Sequence, residues 1–290
     1  MIVTITCNPA IDKTIYEDKT IYNIGGKGIN VSKVLKQLDC DTLCLGFMGK
    51  DNSDLFLNEL DKLNIKHDFV LIDGSIRTNT KRIIDNELYE DNEIGPEVND
   101  IDKNKLFNKL EELNNDIAVI SGSAPINVED DFYEKMILTL KKNNNYVILD
   151  CSKNLFKYGL KAKPDVIKPN EKEISEYFNE DLNQEELIDK TKQLNLDLSV
   201  ISLGSKGALF ISDDVYYSPA LNVEYKSALG AGDSMVGALA YSKLHNYNIV
   251  DTIKLAMSCA GASVETSESN PPDRKRIEDH IKEVVINKVG

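Results

Sequence analysis

No apolar run in the chain approaches the ~20 residues needed to cross a bilayer, although apolar residues make up 41% of its 290 positions. Membrane-spanning functions are therefore not expected. The start, MIVTITCNPAID, lacks the basic and apolar regions of a secretory signal, so the expected location is the cytoplasm. Cysteine is sparse and unpatterned. Cys7, Cys40, Cys44, Cys151 and Cys259 are odd in number, show no C-x-x-C spacing, and leave Cys40 and Cys44 without a nearby histidine. That argues against a disulfide framework or zinc site and predicts reduced thiols. Positive charge is also short: 34 Lys and Arg face 48 Asp and Glu, for a net charge of −14. Such a balance repels nucleic acid and anionic membranes in bulk, so an anionic substrate needs a local cluster of cations. Also missing are a fixed-period repeat, a Pro- or Ser-rich linker, a G-x-G-x-x-G fingerprint and a G-x-x-x-x-G-K-[ST] loop.

What is present is alternation. Short β-rich runs occur at IVTITC (2–7), TLCLGFMG (42–49), IAVISG (117–122), YVILD (146–150), DVIKPN (165–170) and LSVISLG (198–204). Helical spacing lies between them, as in Ile29, Val31, Val34, Leu35 and Leu38, or Phe132, Tyr133, Met136, Ile137 and Leu140. The pattern predicts βαβ crossovers and a mostly parallel sheet in one α/β domain spanning 1–290. Two stretches break it. Residues 76–91 read as a hairpin turning at Asp85-Asn86, forming a small projecting sheet, and 208–218 read as another turning at Asp213-Asp214.

Two glycine clusters carry the chemistry. In SALGAGDSMVG (227–237), Gly230, Ala231 and Gly232 precede an expected helix from Asp233 to Leu244. A helix start offers unpaired N–H groups and about half a positive charge, and small residues let an anion approach them. Asp233 beside such a cradle suits a base that takes a proton from an attacking hydroxyl, and an ordinary aspartate pKa of ~3.9 would leave it ionised near pH 7. A tight turn followed by a favourable acid in a first helical turn reads equally well from this stretch alone. NIGGKGINVSK (23–33) repeats the arrangement, with Gly25, Gly26 and Gly28 around Lys27, then Asn30, before a helix expected from Ile29. NPAID (8–12) is expected to end the first strand with Asp12 ready to accept hydrogen bonds from hydroxyls.

Taken in order, NPAID, GGKGINVSK, GKD (49–51), SGSAP (121–125), KPNEKE (168–173), SLGSKGALF (202–210) and GAGDSMVGALAYS resemble the ribokinase-like (PfkB) carbohydrate kinases. The likeness is narrower to the 1-phosphofructokinase and tagatose-6-phosphate kinase branch. It implies a three-layer α/β/α fold with a mostly parallel central sheet and a small β lid, formed here from about 13–24 and 76–91. It also implies ATP as co-substrate and Mg²⁺. Asp233 would be the base and Gly230, Ala231 and Gly232 the anion hole for the transferring phosphoryl group. Asp12, Gly26, Lys27 and Asn30 would hold the sugar, with Arg77, Asn79 and Lys81 on the substrate phosphate. Lys168, Ser202, Gly204 and Gly207 would lie along the nucleotide, and Asn170 and Glu173 would organise magnesium through water. An Asn with a Glu three residues on is also a common helix cap.

The reaction so implied is phosphorylation of a ketohexose phosphate, foremost fructose 1-phosphate to fructose 1,6-bisphosphate. Tagatose 6-phosphate and fructose 6-phosphate are alternative acceptors, and a sugar-phosphate sensor without turnover is the alternative outside enzymes. In relatives the stretch between Asp12 and Gly25 is longer than the twelve residues here. The lid is therefore expected to depend mainly on 76–91, to exclude water from the γ-phosphate less well, and to support only a weakened homodimer.

Overall fold

The computed structural model describes residues 1–84, 87–267 and 270–290. From the N-terminus, β1 (Ile2–Thr6) leads into the hairpin of β2 (Ala10–Ile15) and β3 (Thr20–Gly25), then α1 (Lys27–Gln37), β4 (Thr42–Gly49) and α2 (Ser53–Lys62). Next come β5 (Lys66–His67), β6 (Val70–Ile72) and the pair β7 (Arg77–Ile84) and β8 (Glu87–Asn92). The middle of the chain forms α3 (Asp100–Glu111), β9 (Ile117–Ser121), α4 (Phe132–Lys142), β10 (Tyr146–Asp150) and α5 (Lys153–Gly159). It continues with β11 (Val166–Ile167), α6 (Glu171–Phe178), α7 (Gln184–Lys192) and β12 (Leu198–Ser202). The last part holds β13 (Ala208–Ile211), β14 (Val215–Ser218), α8 (Ala231–Leu244), α9 (Ile249–Val264), α10 (Arg274–His280) and β15 (Asn287–Lys288).

The main sheet runs β15-β14-β13-β12-β11-β10-β9-β1-β4-β5, with β6 also on β4. From β5 to β12 the strands are parallel, and β13 to β15 add an antiparallel edge. Successive strand residues face opposite sides, so Val3 and Ile5 of β1 join a core with Leu106, Met136, Ile174 and Leu187 from α3, α4, α6 and α7. Ile2 faces the other way, into a core with Val34, Val236, Ile253 and Ile277 from α1, α8, α9 and α10. The chain is thus the expected three-layer α/β/α fold. The strand expected over 165–170 is only Val166 and Ile167, because Pro169 has no N–H to give the ladder and the chain turns at once into α6. The 208–218 hairpin forms as read, with Asp213 and Asp214 between its strands. Among the described residues no helix is long and apolar enough to cross a membrane, and all five cysteines are buried and unpaired.

Two features place the site. The first is a second sheet of order β3-β2-β7-β8, packed on α1 and α2 through Ile11, Ile24, Ile29, Phe56 and Ile76. β7 and β8 pair antiparallel, and the turn read at Asp85-Asn86 lies outside the described residues. Asp12 is in this sheet, on β2, and not at the end of β1 as expected. β1 stops at Thr6, and Pro9 breaks the ladder before the chain crosses over. β2 is hydrogen-bonded on both sides, to β3 and to β7, so the short N-terminal segment supplies a central strand and the sheet does not rest mainly on 76–91. The second feature is the contact of α1 with α8. A Cβ on Gly237 would lie 3.0 Å from Val34 Cγ1, so the glycine lets the two helices pack closely with their N-termini side by side.

Candidate active site

Both of those helices start without a side-chain cap. Gly26 (φ +118°) and Gly230 (φ +80°) are the N-cap residues of α1 and α8, and neither offers a side chain to the first-turn amides. Asn99, Asn170, Asn183 and Asn248 cap α3, α6, α7 and α9, whereas α2, α4 and α5 also start without a side-chain cap but not on a glycine. In α8 the Ala231 amide donates to the Ala228 carbonyl at 3.4 Å, but no side chain takes the first-turn amides of α1 or α8, and these add to the positive ends of two helix dipoles, an arrangement that suits an anion. α1 begins at Lys27 and α8 at Ala231, each two residues earlier than the sequence suggests. Lys27 and Asp233 consequently lie inside first turns, and Asn30 Nδ2 donates to Asp233 Oδ2 at 2.9 Å.

Between the two helix starts is a carboxylate that the sequence reading passes over. Asp150, at the end of β10, is fully buried. Lys27 Nζ donates to both its oxygens at 3.3 Å, and Lys168 Nζ lies 3.4 Å from Oδ1. Burial opposes its ionisation, but the two ammonium groups outweigh that and hold its pKa below the usual carboxylate range. Asp233 moves the other way. Burial first, and then the charge of Asp150, raise its pKa against the pull of Lys27, Asn30 and Lys168. The reference value is therefore the wrong guide for this aspartate, whose titration is displaced toward neutrality. Burial would lower the pKa of Lys27, but Asp150, Asp233 and Glu173 together raise it, so it is firmly cationic.

The remaining predicted groups divide into two ends. A pocket of about 250 Å³ between the two sheets is lined by Lys27, Arg77 and Gly26, with Asn8, Thr6 and Ser121. Thr6 Oγ1 and Ser121 Oγ are buried without hydrogen-bond partners, so the pocket holds polar capacity that the protein itself does not use. Arg77 Nη1 donates to Asn79 Oδ1 at 3.1 Å, and Asn79 Nδ2 donates to Asp12 Oδ1 at 2.9 Å. Alternation on β7 puts Arg77, Asn79 and Lys81 on one side of the strand, with Lys81 opposite Thr14 in register. The structure thus brings Asp12, Gly26, Lys27, Arg77 and Asn79 together, with Asn30 beside Asp233.

At the other end, Lys168 is buried, and a Cβ on Gly232 would lie 3.1 Å from its Nζ. Lys168 therefore belongs to the glycine turn as much as to the β11 end. Asn170 and Glu173 form a complete capping box, Glu173 N to Asn170 Oδ1 at 2.8 Å and Asn170 N to Glu173 Oε2 at 2.9 Å. That uses one Glu173 oxygen; among the described residues Oε1 has no hydrogen bond. Mg²⁺ at a phosphate typically needs only one or two carboxylates and keeps several waters, so this donor set fits such an ion. Ser202 joins Asn170 by a parallel bridge, which sets β12 beside the start of α6. Gly204 (φ +61°) faces open space. Gly207 does not, because its Cβ would lie 2.0 Å from the Ser218 carbonyl oxygen, so backbone contact explains that glycine without a ligand.

Asp150, Thr6 and Ser121 are further candidate site residues that the sequence does not single out individually. Each ends a parallel strand, β10, β1 or β9, and the carboxyl ends of such strands are where open α/β sheets bind ligands. That rule was the available signal.

Residues 2–276 match the pfkB family carbohydrate kinase profile. The chain is 32% identical to 1-phosphofructokinase of Borreliella burgdorferi over 281 residues, covering 91% of each protein. It is 32% identical to 1-phosphofructokinase of Escherichia coli strain K12 over 295 residues, covering 95% of each. A crystal structure of phosphofructokinase-2 from Escherichia coli in complex with substrates and products superposes with a TM-score of 0.90 at 23% identity, over 97% of this chain and 98% of that one. The likeness of that structure shows the fold. The chain belongs to the pfkB family of carbohydrate kinases, for which ATP is the co-substrate.

Proposed function

We propose that the protein transfers the γ-phosphoryl group of ATP to fructose 1-phosphate, giving fructose 1,6-bisphosphate. The relatives named 1-phosphofructokinase, similar over nearly the whole chain, support this acceptor. The observation that carries the chemistry is Asp233 in the first turn of an uncapped helix, held by Asn30 and with its pKa raised by burial and by the like charge of Asp150. Asp233 accepts the proton of the sugar hydroxyl as that oxygen attacks phosphorus. The amides of the N-cap Gly230 and of Ala231 and Gly232 stabilise the charge on the moving phosphoryl group, with Lys168 beside them. Lys27 and Arg77 neutralise the phosphate already on the acceptor, while Asp12 and Asn79 orient its hydroxyls. Mg²⁺, bound through water by Asn170 and Glu173, would supply charge neutralisation at the ATP phosphates.

In the same reading, the β3-β2-β7-β8 sheet is a lid over the acceptor and the surface of a weak homodimer, and the enzyme works in a reducing cytoplasm that suits its five unpaired thiols. Coupled ADP release with fructose 1-phosphate, fructose 6-phosphate and tagatose 6-phosphate tests the acceptor. The highest kcat/KM should belong to fructose 1-phosphate. Preference for either other sugar replaces the acceptor, and sugar-phosphate binding with no ADP release replaces the enzyme by a sensor. Sedimentation velocity over a concentration series tests the dimer.

A further inference from the structure

Lys33 closes the GGKGINVSK stretch and has no role in the site above. Its side chain lies on α1 and is only 8% exposed, and Nζ donates to the Ile24 carbonyl oxygen on β3 at 2.5 Å. Between the two in the chain is Gly26, with φ +118°, where the small sheet turns into the helix. The bond therefore reaches back across that pivot. What it holds bears on the acceptor pocket. A Cβ on Gly25 would lie 2.2 Å from Asp12 Oδ2, so the β3 end and Asp12 are in close contact. Asp12 accepts from Asn79, which in turn accepts from Arg77.

We propose that Lys33 is a positioning residue that clamps the joint between β3 and α1, and so sets where Asp12 and Arg77 stand over the acceptor pocket. The proposal rests on the acceptor reading given above. An ammonium group has three donors, and among the described residues this one has a single acceptor in a buried place, which is costly. For stability alone, an apolar side chain of similar length would serve as well. A charge-assisted hydrogen bond is about twice as strong as a neutral one, so the clamp is firm while Lys33 is protonated. Burial pushes its pKa down to about 8, against the charges that face it: Asp12 on β2, Asp233 on α8 and Glu59 on α2. The joint should loosen as pH rises through that value.

Amide hydrogen exchange without any sugar phosphate reads the joint directly. In the wild type, protection at residues 22–26, corrected for intrinsic exchange, should fall several-fold between about pH 7 and about pH 9. Lys33→Arg stays charged over that range and should keep its protection, while Lys33→Met should show the loosened level throughout. In turnover at neutral pH, Lys33→Met should raise the fructose 1-phosphate KM about tenfold and leave the ATP KM within about twofold. Wild-type protection that does not change with pH overturns the proposal. So does a Lys33→Met protein that melts lower with unaltered exchange and acceptor KM. A wrong choice of acceptor would spoil only the turnover arm, since the exchange arm uses no sugar.

Discussion

Asn30 and Asp233 are 203 positions apart in the chain, yet Asn30 Nδ2 donates to Asp233 Oδ2 at 2.9 Å and ties the first turn of α1 to the first turn of α8. In the proposed reading, one hydrogen bond thus joins the end that would take the acceptor to the end that would take the phosphoryl group. In the same reading, Asp233 Oδ1 is the oxygen left to act as a base on a substrate hydroxyl.

Asp233→Asn keeps the size and the helix start but removes the proton acceptor. Turnover should fall by ~10²-fold or more with ATP affinity little changed, because a general base acts only in the transition state. Steady-state kcat together with ATP titration calorimetry checks this, and near wild-type turnover would remove Asp233 as the base.

Arg77→Ala separates the two ends of the cleft. Arg77 lines the pocket proposed for the acceptor and is linked through Asn79 to Asp12, so its loss should raise the sugar-phosphate KM at least tenfold and the ATP KM by about twofold or less. Equal effects on both constants would place Arg77 at the nucleotide instead.

Strand bounds were the most legible part of the fold. TLCLGFMG and YVILD fold as β4 and β10 with the residues read from the sequence, since runs buried on both faces are continuous and apolar. The glycine clusters were legible because bare backbone at a helix start is what the proposed anion site needs. Asp150 was not. Its importance comes from Lys27, 123 positions away, and from Lys168 at the end of a neighbouring strand, and only the order β9-β10-β11 brings the three together. Asp12 was read on the wrong strand for a local reason. The run 2–12 looks continuous until Pro9 is given its full weight as a break. The close approach of Gly207 to the Ser218 carbonyl, which by itself requires a glycine there, involves a partner that no local pattern identifies.

Gly232→Ala tests the cradle with little risk to the fold. The new methyl would lie 3.1 Å from Lys168 Nζ, the end of a flexible side chain, while Ala in place of Gly favours the helix by up to ~1 kcal/mol. The melting temperature should hold or rise while kcat drops about tenfold, because Lys168 shifts and the amides are shielded. Unchanged kcat would mean that the phosphoryl group does not approach the second residue of α8.

Asp150→Asn bears on the pH dependence. The proposed base works ionised, so wild-type activity should be lost as pH falls through the pKa of Asp233. That pKa is raised, first by burial and then by Asp150, so the acid limb should lie above the ordinary aspartate range. Removing the charge of Asp150 takes away the repulsion and frees the positive field of Lys27 and Lys168. Both changes favour the carboxylate, so the acid limb of kcat should move to lower pH. Stability should move as well. Lys168, with 6% side-chain exposure, loses a fully buried counter-ion, and breaking a pair of that kind costs about 3–5 kcal/mol. A pH–rate profile beside a denaturant titration separates the two effects. If stability falls but the acid limb stays where it was, Asp150 only holds the lysines and the elevated pKa of Asp233 comes from burial alone.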